Sequence, residues 1–130
     1  MQDAPQYDDV VLDVYDMLAE RVAACAAAGI ARPRICVDPG IGFGKTVHHN
    51  LTLISSLAIL HGLGCTVGIG VSRKGFIEAI AGPSAPKDRL AGSITAMLAA
   101  LDQGAQLVRV HDVAETVQAI ALWRAARETP

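Results

Sequence analysis

The sequence predicts an α/β fold with a small parallel sheet covered by helices. Three observations carry this. Short apolar runs alternate with longer amphipathic stretches, in the order α, β, α, β, α, β, α. Glycine or proline bounds each apolar run, as at Pro33 and Pro39. The composition is rich in alanine and only 4% aromatic, which suits closely packed helices on a sheet. Strands separated by helices of this length run parallel, with right-handed crossovers. An open doubly wound sheet and part of a (β/α)₈ barrel both fit the pattern. At 130 residues the chain is one compact domain, residues 1–130, with no repeat, low-complexity tract or linker to divide it.

The first element is a helix. Val11, Tyr15, Leu18, Val22 and Cys25 recur at helical spacing and are expected to form its buried face. Asp8 or Asp9 caps its start, and Gly29 suits the left-handed position beyond its end. Arg34–Val37 reads as a buried strand. The glycine-rich loop Asp38–Lys45 follows. A helix is then expected from about His48 to Leu60, with Leu51, Ile54, Leu57 and Ala58 facing the core. Thr66–Val71 is the second strand, and a short helix follows around Phe76–Ile80. After the breaker Gly82–Pro86, a long helix runs from about Lys87 to Asp102. Gln106–Val110 is the third strand, and Asp112 with Glu115 forms a capping-box-like start to the last helix.

Composition also excludes functions. Eleven basic residues against thirteen acidic ones give a net charge of -2, which is wrong for a general nucleic-acid or membrane-surface binder. With so few aromatics there is no stacking platform for single strands. Cys25, Cys36 and Cys65 are odd in number and widely spaced, so neither a disulfide scaffold nor a zinc knuckle is expected. Met1–Pro5 lacks the basic and apolar regions of a signal peptide, and no apolar run is long enough to span a bilayer. A soluble, cytoplasmic protein is the expectation.

In both candidate folds a ligand sits at the carboxyl ends of the strands. All three ends are polar. The first carries Asp38, the second Ser72-Arg73-Lys74-Gly75, the third Arg109, His111 and Asp112. Asp38 is either a turn residue or an acceptor for paired N–H groups of a ligand. Lys74 is either solvated or, beside a helix N-terminus, part of an anion-favouring field. Arg109 and His111, two residues apart, point to one side of an extended strand and offer donors to an anion. The alternative is an Arg109 paired with Asp112. Phe43 is a satellite core residue or the apolar wall of a flat pocket. His48, His49 and His61 have no ligand spacing and read as helix-surface residues. Gly44-Lys45-Thr46 ends like a phosphate-binding loop, but the position for the opening glycine is Pro39, which has no amide hydrogen to offer.

Taken together these motifs resemble dihydropteroate synthase. The carrying residues are Asp38-Pro39-Gly40-Ile41-Gly42-Phe43-Gly44-Lys45 with Asn50-Leu51, Ser72-Arg73-Lys74 with Phe76-Ile77, and Arg109-Val110-His111-Asp112-Val113. Met1-Gln2 with Pro5 and Tyr7-Asp8-Asp9-Val10 resembles the segment after that family's fifth strand.

The resemblance implies the C-terminal part of a (β/α)₈ TIM barrel, strands six to eight. It implies condensation of 6-hydroxymethyl-7,8-dihydropterin pyrophosphate with 4-aminobenzoate in folate synthesis, with sulfonamides competing for the aminobenzoate site. Asp38 would hold the pterin's amino-pyrimidine edge and Lys74 the pterin ring. Arg109 and His111 would hold the pyrophosphate, accompanied by magnesium whose ligands lie largely in the N-terminal half. Phe43 and Lys74 would flank the aminobenzoate, with Ser72 and Gly75 beside them. Gly75 stands where some members have serine. The family also implies a homodimer through the C-terminal helices, or pairing with an N-terminal half-barrel. Matching only strands six to eight, the chain alone is expected to be weak or inactive. The alternative is a non-catalytic truncated or degenerate copy that serves as an interaction fragment. Val37, Val67, Ile69 and Val108 are expected on the barrel's inner face, where exposure would make the lone chain oligomeric, partly molten or poorly soluble.

Overall fold

The computed structural model describes residues 6–128. The resembling residues Met1, Gln2 and Pro5 lie outside that range. The elements are α1 (Val10–Ala27), β1 (Cys36–Val37), α2 (Val47–Ser55), β2 (Thr66–Ile69), α3 (Gly75–Ala81), α4 (Leu90–Asp102), β3 (Leu107–Val108) and α5 (Val113–Glu128). The three strands are parallel and lie in the order β1-β2-β3. This is the α/β alternation the sequence predicts. Among the described residues no helix is long and apolar enough to cross a membrane.

The register pairs Val37 with Val67 and Ile69 with Val108. It also decides which face is covered. Val37, Val67 and Ile69 are buried, at 3%, 0% and 1% exposure, and Val108 packs on the same core. They point toward the helices and not, as expected, into an open inner face. The pleat puts Cys36, Gly68 and Leu107 on that other face instead. There a Cβ on Gly68 would meet the Cys36 sulfur at 2.7 Å, and Leu107 is 51% exposed.

The helices cover the valine face. Asp9 caps α1, its carboxylate accepting the N–H groups of Val11 and Leu12 at 2.9 and 3.1 Å. Gly29 has φ 87, as the chain reversal after α1 requires. The buried face of α1 is Val10, Val14, Leu18 and Val22: Leu18 and Val22 are inward as expected, while Val10 and Val14 take the places expected of Val11 and Tyr15. Val11, Tyr15 and Cys25 flank it, half-buried. Both rows are apolar, so periodicity alone cannot choose between them.

The expected helix to Leu60 stops at Ser55 and continues as a 3₁₀ turn, Leu57–Leu63. With three residues per turn, Leu57, Leu60 and Leu63 fall on one side, and all three are buried. Leu51 and Ala58, expected in the core, are exposed, and Leu53 takes the inward position. β1 is shorter than expected because Arg32–Arg34 forms a 3₁₀ turn with Pro33 as its second residue. β2 and β3 are likewise trimmed to their paired residues. Backbone bonds from Gln106 to Val67 and from Arg109 to Ile69 extend the second ladder at each end. Pro86–Asp88 forms another 3₁₀ turn, so α4 begins at Leu90 and not at Lys87.

The capping box at α5 does not form as expected. The Asp112 carboxylate accepts from Arg73, with Nε to Oδ2 at 3.2 Å. Both carboxylate oxygens are taken up by the two-pronged guanidinium contact, which is stronger than a bond to a neutral backbone N–H.

Candidate active site

Three strand ends of a parallel sheet open on one side, and each contributes a loop there. After β1, Asp38 makes a tight turn in which its Oδ1 accepts the Gly40 N–H at 2.7 Å. The carboxylate stays exposed. One oxygen thus shapes the turn and the other remains available to a ligand.

The rest of that loop is pinned by Asn50 of α2. Asn50 is 3% exposed. Its Oδ1 accepts the Gly42 N–H at 2.7 Å, and its Nδ2 donates to the Thr46 carbonyl at 2.8 Å. Gly42, at φ 81, must lack a side chain: a Cβ would lie 2.9 Å from Lys74 Cδ. Asn50→Ala leaves two backbone groups unpaired and is expected to cost about 1–3 kcal/mol. The check is a lower urea midpoint at unchanged m-value, with Asn50→Asp failing to restore it.

Lys45 does not reach outward as a phosphate-binding lysine would. Its Nζ donates to the Phe43 carbonyl at 3.1 Å and lies over the Tyr7 ring. Burial lowers its pKa, with Asp38 acting in the opposite sense.

After β2, Ser72, Arg73 and Lys74 form the turn into α3. Arg73 has φ 59, a left-handed conformation that costs a side-chain-bearing residue about 1–2 kcal/mol. Lys74 Nζ sits 4.0 Å from the centre of the Phe43 ring. Phe43 itself is 60% exposed, so it is not a core residue. The Lys74 pKa is lowered, first by burial and then by the positive charge of Arg109, while Asp38 opposes the shift. Asp38, Lys74 and Arg109 therefore share one electrostatic neighbourhood although they come from three strand ends.

After β3, His111 Nδ1 lies 2.9 Å from Ser72 Oγ, which also accepts the His111 N–H at 3.3 Å. Arg109 has no carboxylate partner among the described residues, since Asp112 pairs with Arg73. Arg73 holds the Asp112 carboxyl below its ordinary pKa through the hydrogen bond and its charge. That pair removes a negative charge from the start of α5, where an anion would sit.

Gly70, Ser72, Arg73, Lys74, Arg109 and His111 line one cleft of about 480 Å³. Ser72, Lys74, Arg109 and His111 of the expected site are thus brought together. Phe43 and Asp38 stand beside the cleft, joined to it through Lys74. Gly75 opens α3, and a Cβ there would meet nothing within 4 Å. Two residues that sequence reasoning passed over support the turn at Arg73: Arg89 and Ser93. Arg89 and Ser93 contact it from 16 and 20 residues away, so no local pattern announces them.

The chain is similar in sequence and in fold to known proteins. Escherichia coli K12 dihydropteroate synthase is 43% identical over 120 residues, 92% of this chain and 42% of its own length. A structure of Xanthomonas albilineans dihydropteroate synthase with 4-aminobenzoic acid superposes with a TM-score of 0.94 at 47% identity. That match covers 98% of this chain and 47% of the other. The same enzyme in complex with 7,8-dihydropteroate gives 0.94 at 45% identity, covering 100% and 50%. These neighbours are TIM barrels, so the sheet is part of a barrel and not an open doubly wound one. The chain spans about half the length of the relatives it matches. A family model described as pterin binding enzyme matches residues 1–111, which take in all three strand ends from Asp38 to His111, and the chain belongs to that family.

Proposed function

We propose that this chain supplies the C-terminal strand ends of a dihydropteroate synthase, which joins 6-hydroxymethyl-7,8-dihydropterin pyrophosphate to 4-aminobenzoate. The observation that carries this is the grouping of one exposed carboxylate, Asp38, with an anion-ready cluster of Lys74, Arg109 and His111. A pterin diphosphate has the matching polarity. Its amino-pyrimidine edge offers paired N–H donors to Asp38, and its diphosphate faces the cations. Lys74 bonds the pterin ring.

The reaction breaks the bond between the pterin methylene carbon and the diphosphate oxygen, leaving a stabilised pterin cation. The amine nitrogen of 4-aminobenzoate then attacks that carbon and loses a proton. Arg109, His111 and the N-terminus of α5 hold the departing diphosphate where its charge grows, which is electrostatic catalysis. Ser72 fixes the His111 ring through Nδ1. Phe43 and Lys74 form the wall for the aminobenzoate, and the exposed backbone of Gly75 at the start of α3 serves its carboxylate.

Among the described residues no cluster of three or more His, Cys, Asp or Glu could hold a metal, and the cleft is cationic. Magnesium accompanying the diphosphate would be held by the diphosphate itself and by protein ligands largely in the N-terminal half of the barrel. A homodimer through the C-terminal helices and a cytoplasmic location, consistent with three free cysteines, complete the proposal.

Titration calorimetry tests it. A pterin should bind this chain more tightly than ATP does, with binding lost in Asp38→Asn and kept in Lys45→Ala. Tight, magnesium-dependent ATP binding abolished by Lys45→Ala would overturn the reading.

A further inference from the structure

The turn that carries Lys74 is held from α4 at both ends of one residue. Arg73 is the one non-glycine residue with positive φ among the described residues. Its N–H donates to Ser93 Oγ at 2.8 Å, and its carbonyl accepts from Arg89 Nη1 at 3.2 Å. Ser93 Oγ in turn donates to the Arg89 carbonyl at 2.6 Å, linking the two holding groups. Arg89 is buried at 8% exposure. The rest of its guanidinium is directed at Glu78 and at the Ser84 carbonyl, the latter at 2.7 Å. Neither Arg89 nor Ser93 lines the cleft.

We propose that Arg89 and Ser93 are positioning residues that lock Arg73 in the left-handed conformation and thereby set Ser72 and Lys74 into the cleft together. Two demands meet at position 73. The conformation suits glycine, which bears no Cβ. The site nevertheless uses a side chain there, because the Arg73 guanidinium engages Asp112. A clamp on both backbone groups reconciles them. If Arg73 relaxed to extended backbone, the chain would leave it in another direction. Lys74 would then leave the Phe43 ring, and Ser72 would no longer meet His111.

The inference rests on the reading of Lys74 and His111 as ligand-holding groups, but its first test does not. The Lys74 ε-methylene NMR signal should be shifted by the Phe43 ring, and Phe43→Leu identifies it. Ser93→Ala should collapse that shift while the Val67 and Ile69 methyl signals stay in place. Ser93→Thr, which keeps the hydroxyl, should preserve it. Adding Arg73→Gly to Ser93→Ala should restore it, because glycine enters the left-handed region unaided. An unchanged Lys74 signal in folded Ser93→Ala, or no restoration by Arg73→Gly, overturns the proposal. Should Ser93→Ala not fold, Arg89→Lys keeps the charge facing Glu78, loses the fork to the Arg73 carbonyl, and is read in the same way. The second arm is pyrophosphate affinity, expected to fall up to about tenfold in Ser93→Ala, one neutral hydrogen bond's worth, and to be kept in Ser93→Thr. A collapse of the Lys74 signal with no pyrophosphate binding in any variant, wild type included, would sink the anion-site reading and leave the clamp standing.

Discussion

Alanine at Arg109 is expected to weaken pyrophosphate binding by about 1.5–3 kcal/mol, roughly ten- to a hundredfold. The loss should fall on binding and not on folding. Arg109 is exposed and has no carboxylate partner among the described residues, so its removal orphans no buried group. In the free protein it faces another cation, since its charge helps to lower the pKa of Lys74. The cluster is therefore mutually repelling until an anion enters. Removing Arg109 relieves that repulsion, and thermal stability should hold or rise slightly. The sign with pH follows. A bound diphosphate favours the charged form of Lys74 and raises its pKa again, so binding takes up protons in the alkaline range. Affinity should fall as the pH rises through the free-state pKa of Lys74, and less steeply in Arg109→Ala. Calorimetry in two buffers of different ionisation enthalpy reads both quantities. Equal affinity for wild type and Arg109→Ala would remove this residue from the anion site.

The site was legible in the sequence because parallel α/β topology gathers strand ends. Asp38, Ser72, Lys74, Arg109 and His111 each lie within a few residues of an apolar run, and once the runs are parallel those residues converge. What was not legible depended on distant partners. Asp112 looks like a helix cap locally, but a guanidinium 39 residues earlier in the chain makes the stronger contact. The two apolar rows of α1 are equivalent until the leucines of the Leu57–Leu63 turn pack beside one of them. The valines of β1 and β2 lie on the helix-covered face and not on the inner one: the alternation of Val67, Ile69 and Val71 with Gly68 and Gly70 marks two faces, and nothing local says which of them the helices take. Arg89 and Ser93 give no sign at all, since a buried arginine that holds a backbone carbonyl reads as an ordinary residue at a helix start.

The covered position of the valines changes what the chain should do alone. Its core does not depend on strands from elsewhere: Val37, Val67 and Ile69 are already covered by helices, with Leu57 and Met97 buried among them. The 130-residue chain should therefore fold cooperatively, contrary to the partly molten state expected from an open valine face. Its surface is another matter. β1 and β3 are sheet edges, Leu107 is 51% exposed, and Val113, Val117 and Leu122 of α5 are 60%, 60% and 73% exposed. Unpaired edges and apolar side chains of this kind drive association, so sedimentation should show reversible, concentration-dependent self-association. Catalysis should be nearly silent. On the proposed function Asp38 and Lys74 would hold only part of the pterin, and the solved relatives are about twice the length of this chain. A separately produced remaining half from the Xanthomonas albilineans relative should restore turnover of pterin pyrophosphate with 4-aminobenzoate. It should also suppress self-association, because it would cover the same edges. Restoration must fail in Arg109→Ala if the reassembled site is the one described. Turnover by the chain alone near that of a complete relative would refute the incompleteness. Self-association that persists beside the added half, with no turnover, would favour an interaction fragment over half of an enzyme.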